Sequence, residues 1–224
     1  MAIDEAVALL LANRHFLYAY LSRAFAAEPD EAFLDVVADA HTKDECALLD
    51  DEREEGTTLQ RGLAALATEG PDALERLRSE YTKLLIGPGK LPAPPWESVF
   101  VSGEPLLFQK STLAVREAYR AAGFQAAGYP HEADDHLAIE LAFMEALADR
   151  MGEAYAADDG SRVGELARIQ LDFLRNHLLV WVGSFADRLL SYGKVSSFYP
   201  SFAALAALVC ARDVDVLAEL LSLE

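Results

Sequence analysis

Acidic and imidazole side chains crowd into residues 131–140, where their types and spacing allow three kinds of chemistry. The members of this group are His131, Glu132, Asp134, Asp135, His136 and Glu140. They could ligate a metal, cap a helix, or bind the guanidinium groups of a cationic peptide. A bimetal site in a helical bundle needs a Glu-x-x-His motif on each of two helices, and the sequence offers no such pair in plausible register. A helical metallohydrolase stays open as an alternative, and its ligands would be His131, Asp135, His136 and Glu140.

The same segment is predicted to begin a helix. Asp134 or Asp135 is expected to cap it, because a carboxylate at a helix N-terminus accepts hydrogen bonds from orphan amides. One cap needs one side chain, whereas three carboxylates and two imidazoles gather here. The excess favours recognition of arginine side chains, since guanidinium groups bind carboxylates bidentately.

A proline-rich segment lies upstream of this acidic group. Four prolines between residues 88 and 95, the last two being Pro94 and Pro95, fix φ and remove backbone donors. We therefore expect a stiff, extended surface loop that ends at Trp96 and Glu97. An aromatic side chain on a stiff loop is a candidate anchor for a partner, because little conformational entropy is left to lose. The competing interpretation is that Trp96 covers the hydrophobic core.

Common enzyme and metal motifs are missing from the sequence. The stretch at Lys90 lacks the spacing of a phosphate-binding loop, and no Gly-x-Ser-x-Gly motif is present. The cysteines, Cys46 and Cys210, form no Cys-x-x-Cys motif, which indicates a reducing compartment and no structural zinc. His177 and Trp181 are one helical turn apart, and we expect them to pack in the core.

Composition indicates an acidic globular protein with a substantial core. The 224 residues are 52% hydrophobic, and 37 acidic against 19 basic residues give a formal net charge of -18. This charge disfavours nucleic acid and anionic membranes and favours a cationic partner, although acidity can also serve solubility alone. No export signal or membrane-spanning run is recognised, so the prediction is a cytoplasmic protein without stable membrane insertion.

Apolar residues recur at spacings of three and four, which predicts an all-α fold of about ten helices in a single domain. Helices are expected over 4–26, from 31, over 58–67, 72–85, 111–122 and from 135, over 161–190, and as a terminal hairpin over 198–220. A short extended patch is expected at 99–107, and Ser111 is expected to cap the helix after it. The connector 123–130 could be a hinge between lobes at 1–122 and 131–224.

The proline-rich segment and the acidic segment that follows it resemble the TorD/DmsD/NarJ family of chaperones that mature molybdenum-containing redox enzymes. They are most similar to its TorD/DmsD branch. Residues 80–88 (EYTKLLIGP), 93–99 (APPWESV) and 111–116 (STLAVR) resemble the first motif of the family. Residues 132–136 (EADDH) resemble the second, usually E-P-x-D-H, with Ala133 in place of the proline. His177 and Trp181 match a H-L-x-x-W helix.

The resemblance implies a non-catalytic, all-helical protein without a cofactor of its own. Such chaperones bind the twin-arginine signal peptide and apoprotein of a molybdopterin-dependent oxidoreductase until the cofactor is inserted and Tat export follows. The implied peptide-binding residues are Pro94, Pro95, Trp96, Glu97, Glu132, Asp134, Asp135 and His136. A NarJ-like chaperone of a reductase retained in the cytoplasm is the alternative, and both a monomer and a domain-swapped dimer stay open.

Overall fold

The part of the chain that the structure describes is mainly helical. The structure is a computed structural model, and it describes residues 5–50, 52–102, 109–128 and 133–222. The helices are α1 (Glu5–Ala26), α2 (Glu31–Ala38), α3 (Ala40–Ala47), α4 (Glu55–Ala67), α5 (Ala73–Tyr81), α6 (Glu97–Val101), α7 (Lys110–Ala121), α8 (Leu137–Ala156), α9 (Gly160–Phe173), α10 (Leu179–Tyr192) and α11 (Phe198–Ser222). Within these ranges the β-structure is limited to one isolated bridge. The prediction of an all-α fold is confirmed.

Helices α1 and α8 form the most extensive helix pair in the described structure. Leu17 and Leu21 of α1 and Leu141 and Met144 of α8 are buried in one core that also receives α11. The sequence stripe predicts a central α8, which the structure has. Helix α8 packs more extensively on α1 than on α9, the helix that follows it in the chain.

The long helix expected over 161–190 is present, with an inserted wide turn. Helix α9 continues through a π-helical turn, Leu174–Leu178, directly into α10. A second π-helical turn, Thr82–Ile86, extends α5. A π turn adds a residue to the helical repeat and so changes which side chains face inward beyond it. His177, in the π-helical turn Leu174–Leu178, is buried.

The prediction of a terminal helical hairpin is wrong. Residues Phe198–Ser222 form one helix, α11, in which Asp213 is buried. Asp213 accepts hydrogen bonds from Arg14 Nη2 at 3.0 Å and Tyr18 Oη at 2.7 Å. The chain therefore stays helical through Asp213, because Arg14 of α1 neutralises this carboxylate inside the core.

Three other local predictions are corrected by the structure. Val99 belongs to the short helix α6 rather than to an extended patch, while residues 103–107 of that patch lie outside the described residues. Gln109, not Ser111, caps α7 and does so with Thr112 in a capping box. His136, not Asp134 or Asp135, caps α8.

Candidate functional site

The two motifs that the sequence analysis singled out lie side by side. Residues 95–97 and 135–137 pair through an antiparallel bridge between Trp96 and His136. The amide of Glu97 donates to the carbonyl of Asp135 at 3.0 Å, and the amide of Leu137 donates to the carbonyl of Pro95 at 2.9 Å. The loop end is therefore fixed to the beginning of α8. Proline fits here because Pro95 contributes only its carbonyl.

Trp96 lies at the edge of this junction. Its ring meets the imidazole of His136 edge to face, with centroids 5.2 Å apart. Pro94, Trp96 and His136 are half-buried, whereas Pro95 is buried. Trp96 and His136 thus present part of their surface to solvent from a rigid frame, which is the arrangement that an aromatic anchor needs. The other tryptophan of the sequence, Trp181, is fully buried.

Asp135 joins the two motifs from inside. Its side chain is fully buried, and Oδ2 accepts from the amide of Ser98 at 2.8 Å. With the Glu97 amide on its carbonyl, Asp135 satisfies two orphan amides in the first turn of α6. Its Oδ1 has no hydrogen-bond partner among the described residues. Asp135 therefore caps a helix about forty residues upstream rather than its own.

Asp134 is buried as well and binds a guanidinium within the chain. Arg116 Nε of α7 donates to Asp134 Oδ2, and Tyr119 Oη donates to the Asp134 carbonyl at 3.1 Å. Helix α7 is thereby tied to the segment before α8. A carboxylate paired with an arginine is what the sequence suggested for this group, but the arginine is supplied by this protein.

His136 is neutral in this arrangement. Its Nδ1 accepts from the amide of Ala138 at 3.1 Å, which caps α8 and leaves the proton on Nε2. Burial lowers the pKa of His136 to about 4, and the nearby Asp135 carboxylate opposes this shift only in part. The imidazole therefore adds no positive charge to the junction at neutral pH.

A second layer of polar residues lies beneath the junction, in the core. Glu97 Oε2 is 3.0 Å from His177 Nδ1 on the π-helical turn, and Trp181 Nε1 donates to Glu140 Oε2 at 3.2 Å. Burial raises the pKa of Glu140 well above its ordinary value, and the Glu97 carboxylate adds to the shift while the Trp181 bond counteracts it. Burial thus favours the neutral form of Glu140.

This second layer tests two interpretations from the sequence. The prediction that His177 and Trp181 pack in the core is confirmed. Within the described residues, no group of three or more His, Cys, Asp or Glu side chains is arranged to hold a metal ion. His131, one proposed metal ligand, and Glu132, one proposed peptide ligand, lie outside the described residues.

An apolar groove that the sequence analysis missed runs beside His136. It has a volume of about 290 Å³, and its walls include Phe124 and Ala126 from the connector and Ala138, Ile139 and Phe143 from α8. The ring of Phe124 is held from behind by Arg150, whose guanidinium carbon lies 3.9 Å from the ring centroid. The signal in the sequence was weak, because the connector shows no periodicity. Whether this connector also acts as a hinge stays a prediction.

Residues 49–187 match the family model described as the nitrate reductase delta subunit. This chain belongs to the TorD/DmsD/NarJ family. The resemblance read from residues 80–99 and 132–136 is confirmed, and both motifs lie within the matched range. Two relatives of this chain, a DmsD and a TorD protein, are named as chaperones and not as catalysts.

The Tat proofreading chaperone DmsD of Salmonella paratyphi A is 33% identical over 138 residues, which cover 62% of this chain and 60% of that protein. The chain thus spans less than two thirds of the length of this DmsD relative. The chaperone protein TorD of Vibrio cholerae is 27% identical over 215 residues, covering 95% and 96% of the two chains. A solved structure of a candidate redox enzyme maturation protein from Archaeoglobus fulgidus matches 87% of this chain and 91% of its own, at 22% identity and a TM-score of 0.49.

No helix among the described residues is both long and apolar enough to cross a membrane.

Proposed function

We propose that this protein is a cytoplasmic chaperone for a molybdopterin-dependent oxidoreductase. It binds the twin-arginine signal peptide and the apoprotein of that enzyme, and it holds them until the cofactor is inserted and Tat export can proceed. The proposal rests on family membership and on the names of the relatives, which are a Tat proofreading chaperone and a chaperone TorD.

The observation that carries the proposal is the junction of the two motifs. The two backbone hydrogen bonds between 95–97 and 135–137 place Trp96, His136 and Pro94 at one surface. The apolar groove, bounded by Ala138 and Ile139, begins one helical turn away on α8. A twin-arginine leader carries two guanidinium groups followed by an apolar stretch. The acidic junction suits the first, and Trp96 with the groove suits the second.

The arginine acceptors in this proposal are Asp135, Asp134 and Glu132. Asp135 still has one acceptor oxygen, Oδ1, without a partner among the described residues. Because Asp135 is fully buried, an arginine reaches it only if the proline-rich loop separates locally from α8. At Asp134 the leader arginine would exchange with Arg116, a replacement of one charge-assisted contact by another. Glu97 and Pro95 position the loop from within.

The neutral imidazole of His136 is compatible with an arginine beside it. A protonated imidazole would repel the guanidinium, so binding should weaken as the pH approaches the His136 pKa of about 4. Affinity should also fall as salt is raised, because carboxylate and guanidinium attract through solvent-screened charge.

The test is calorimetric titration of the protein with twin-arginine leader peptides of molybdoenzymes encoded in the same genome. Each leader is paired with a version in which both arginines are replaced by alanine. We expect selective binding of the arginine-containing leaders. Equal binding of the alanine versions would contradict the proposed arginine recognition.

Matched variants locate the site on the protein. Asp135→Asn keeps an oxygen for the Ser98 amide but removes the charge, so it should fold and bind the leader about 10- to 100-fold more weakly, as expected for loss of a charge-assisted hydrogen bond. Trp96→Ala should also weaken binding. The control is Leu9→Ala. Leu9 is an exposed apolar side chain near the N-terminal end of α1, so its loss should leave the affinity for the leader unchanged.

The alternative is a chaperone of a reductase that stays in the cytoplasm, and the nitrate reductase delta subunit description of the family model favours it. This alternative requires binding to the apoprotein but not to a twin-arginine leader. Pull-down of a molybdoenzyme apoprotein with and without its leader separates the two. If the apoprotein is retained equally with and without its leader, the export proposal is wrong and the alternative takes its place.

A further inference from the structure

A cluster of basic side chains surrounds Tyr192, on a protein whose net charge is -18. Lys83 lies on the π-helical turn after α5, Lys90 on the proline-rich loop, Arg188 on α10 and Lys194 just beyond α10. We call these four residues with Tyr192 the Tyr192 patch. Its sign is opposite to that of the protein as a whole, so it is a local feature and not a consequence of composition.

Tyr192 organises the patch. The Nζ atoms of Lys83 and Lys194 lie 5.5 Å and 5.6 Å from the centre of its ring. Lys83 Nζ also donates to the carbonyl of Lys194 at 3.2 Å, which links the π-helical turn after α5 to the segment after α10. Two ammonium groups are therefore kept close to one aromatic ring, where cation–π attraction offsets part of their mutual repulsion.

An open groove of about 440 Å³ continues from the ring. Lys90, Arg188 and Tyr192 line it together with Leu91, Pro92 and Ser191. The guanidinium carbon of Arg188 stacks 4.4 Å from the centre of the Phe100 ring, which fixes the side chain without neutralising it. The groove thus receives a basic side chain from each wall, Lys90 from the proline-rich loop and Arg188 from α10, and Leu91 and Pro92 add apolar surface.

The positive charges of the patch are not neutralised within the described structure. Among the described residues, none of the four cationic side chains forms an ion pair. One carboxylate, Asp187, also lines the groove. The nearby Glu80 carboxylate accepts hydrogen bonds from the amide and the hydroxyl of Ser196, at 2.9 Å and 2.7 Å.

Apolar side chains flank the basic ones on the same elements. Ile86, on the π-helical turn with Lys83, is 62% exposed. Leu91 and Pro92, next to Lys90 on the proline-rich loop, are half-buried and line the groove. A small anion would pair with the lysines but leave Ile86, Leu91 and Pro92 in water. A polypeptide that alternates carboxylates with apolar side chains would cover both features.

We infer that the Tyr192 patch docks an acidic segment of a partner polypeptide, with carboxylates on Lys83, Lys194, Lys90 and Arg188 and apolar side chains against Ile86, Leu91 and Pro92. The chemistry is the reverse of that at the Trp96 junction, which suits a cationic peptide. The patch is therefore a second interaction surface, and its use does not depend on leader binding. At long range the acidic protein repels such a segment, and the patch attracts it only within about one Debye length, roughly 8 to 10 Å.

The test is a fluorescence anisotropy titration of the full chain with a labelled short peptide of Glu and Leu, and with the same peptide carrying Gln in place of Glu. At low salt we expect the Glu peptide to bind and the Gln peptide to bind much more weakly. The double variant Lys83→Gln, Lys194→Gln should weaken binding of the Glu peptide about 5- to 10-fold, the scale of two exposed charge pairs.

The matched control is Lys43→Gln, Lys110→Gln, which removes the same charge from exposed lysines on α3 and α7. It should leave the affinity for the Glu peptide unchanged, and all variants should stay folded because every substituted lysine is exposed. Equal loss in the control would show a non-specific charge effect and overturn the inference. Binding of the Gln peptide as tight as that of the Glu peptide, or complete displacement by equimolar ATP, would overturn it as well.

Discussion

At the residue scale, the side chains that look most like ligands also hold the fold together. Asp135 caps α6, Asp134 pairs with Arg116, and Glu97 contacts His177, all in buried positions. A buried carboxylate needs such partners, because desolvation disfavours its charge. Binding at this site therefore competes with internal contacts, and the exposed edges of Trp96 and His136 are where a partner can begin to bind.

The neutral state of His136 predicts a specific pH dependence of stability. Its pKa is about 4 in the folded protein, below the value of about 6.5 for an exposed imidazole. As the pH falls through this window the unfolded chain binds the proton first, so the stability that neutral His136 contributes above about pH 6.5 is lost toward pH 4.

His136→Asn should remove this dependence, because asparagine keeps a capping oxygen for the Ala138 amide but does not titrate. Between about pH 7 and pH 5, the free energy of unfolding of the unaltered protein should fall by about 1 to 2 kcal/mol more than that of the variant. Urea unfolding at the two pH values measures the difference. Parallel losses in both proteins would contradict a neutral His136.

At the element scale, the site depends on three segments that meet from distant parts of the chain. Helix α6 is docked by Asp135, α7 is tied by Arg116, and the π-helical turn Leu174–Leu178 presents His177 to Glu97. Helix α8 is the common support, since its first turn carries His136 and Glu140. In the N-terminal half, the close approach of α3 and α4 depends on one glycine.

Gly56 and Gly62 of α4 should respond in opposite directions to alanine. A Cβ at Gly56 would lie 2.4 Å from the carbonyl oxygen of Cys46, whereas one at Gly62 meets nothing within 4 Å. Gly56→Ala should lower the free energy of unfolding by about 1 to 3 kcal/mol, because backbone must move. Gly62→Ala should raise it by about 0.5 to 1 kcal/mol through helix propensity. Urea midpoints measure both, and a stabilising Gly56→Ala would contradict the packing of α3 on α4.

At the scale of the whole molecule, an apolar core sits inside a strongly negative surface. Most ionised carboxylates lie on exposed helix faces, and the field of a charge of -18 attracts a cationic leader from solution. The same field makes the folded protein repel itself. The Tyr192 patch interrupts this surface with positive charge at one end of α10.

Self-repulsion predicts that salt stabilises the fold. Raising NaCl from low concentration to roughly 0.5 M should increase the free energy of unfolding by about 1 kcal/mol, since screening weakens repulsion between exposed charges. The variant Asp44→Asn, Glu52→Gln, which neutralises two exposed carboxylates, should show a smaller increase. Thermal midpoints over a NaCl series measure this. A midpoint that falls with salt would mean that favourable ion pairs outweigh the repulsion.

Much of the fold could be read from the sequence because it depends on local patterns. Apolar spacings of three and four predicted the all-α class, the first helix and the central α8, and two short motifs predicted the family. The continuous α11 could not be read this way. Asp213 is helical because Arg14, about 200 residues away along the chain, neutralises it.

For the site, the sequence by itself determined which residues to consider, since proline, tryptophan and carboxylates in short motifs have chemistry that does not depend on context. Tertiary structure decided what each of them does. Asp135 caps α6 instead of α8, His136 caps α8 and stays neutral, and the groove beside them appears only when the connector packs on α8. Hydrogen bonding and burial are set by neighbours in space, and these neighbours come from segments that no local pattern brings together.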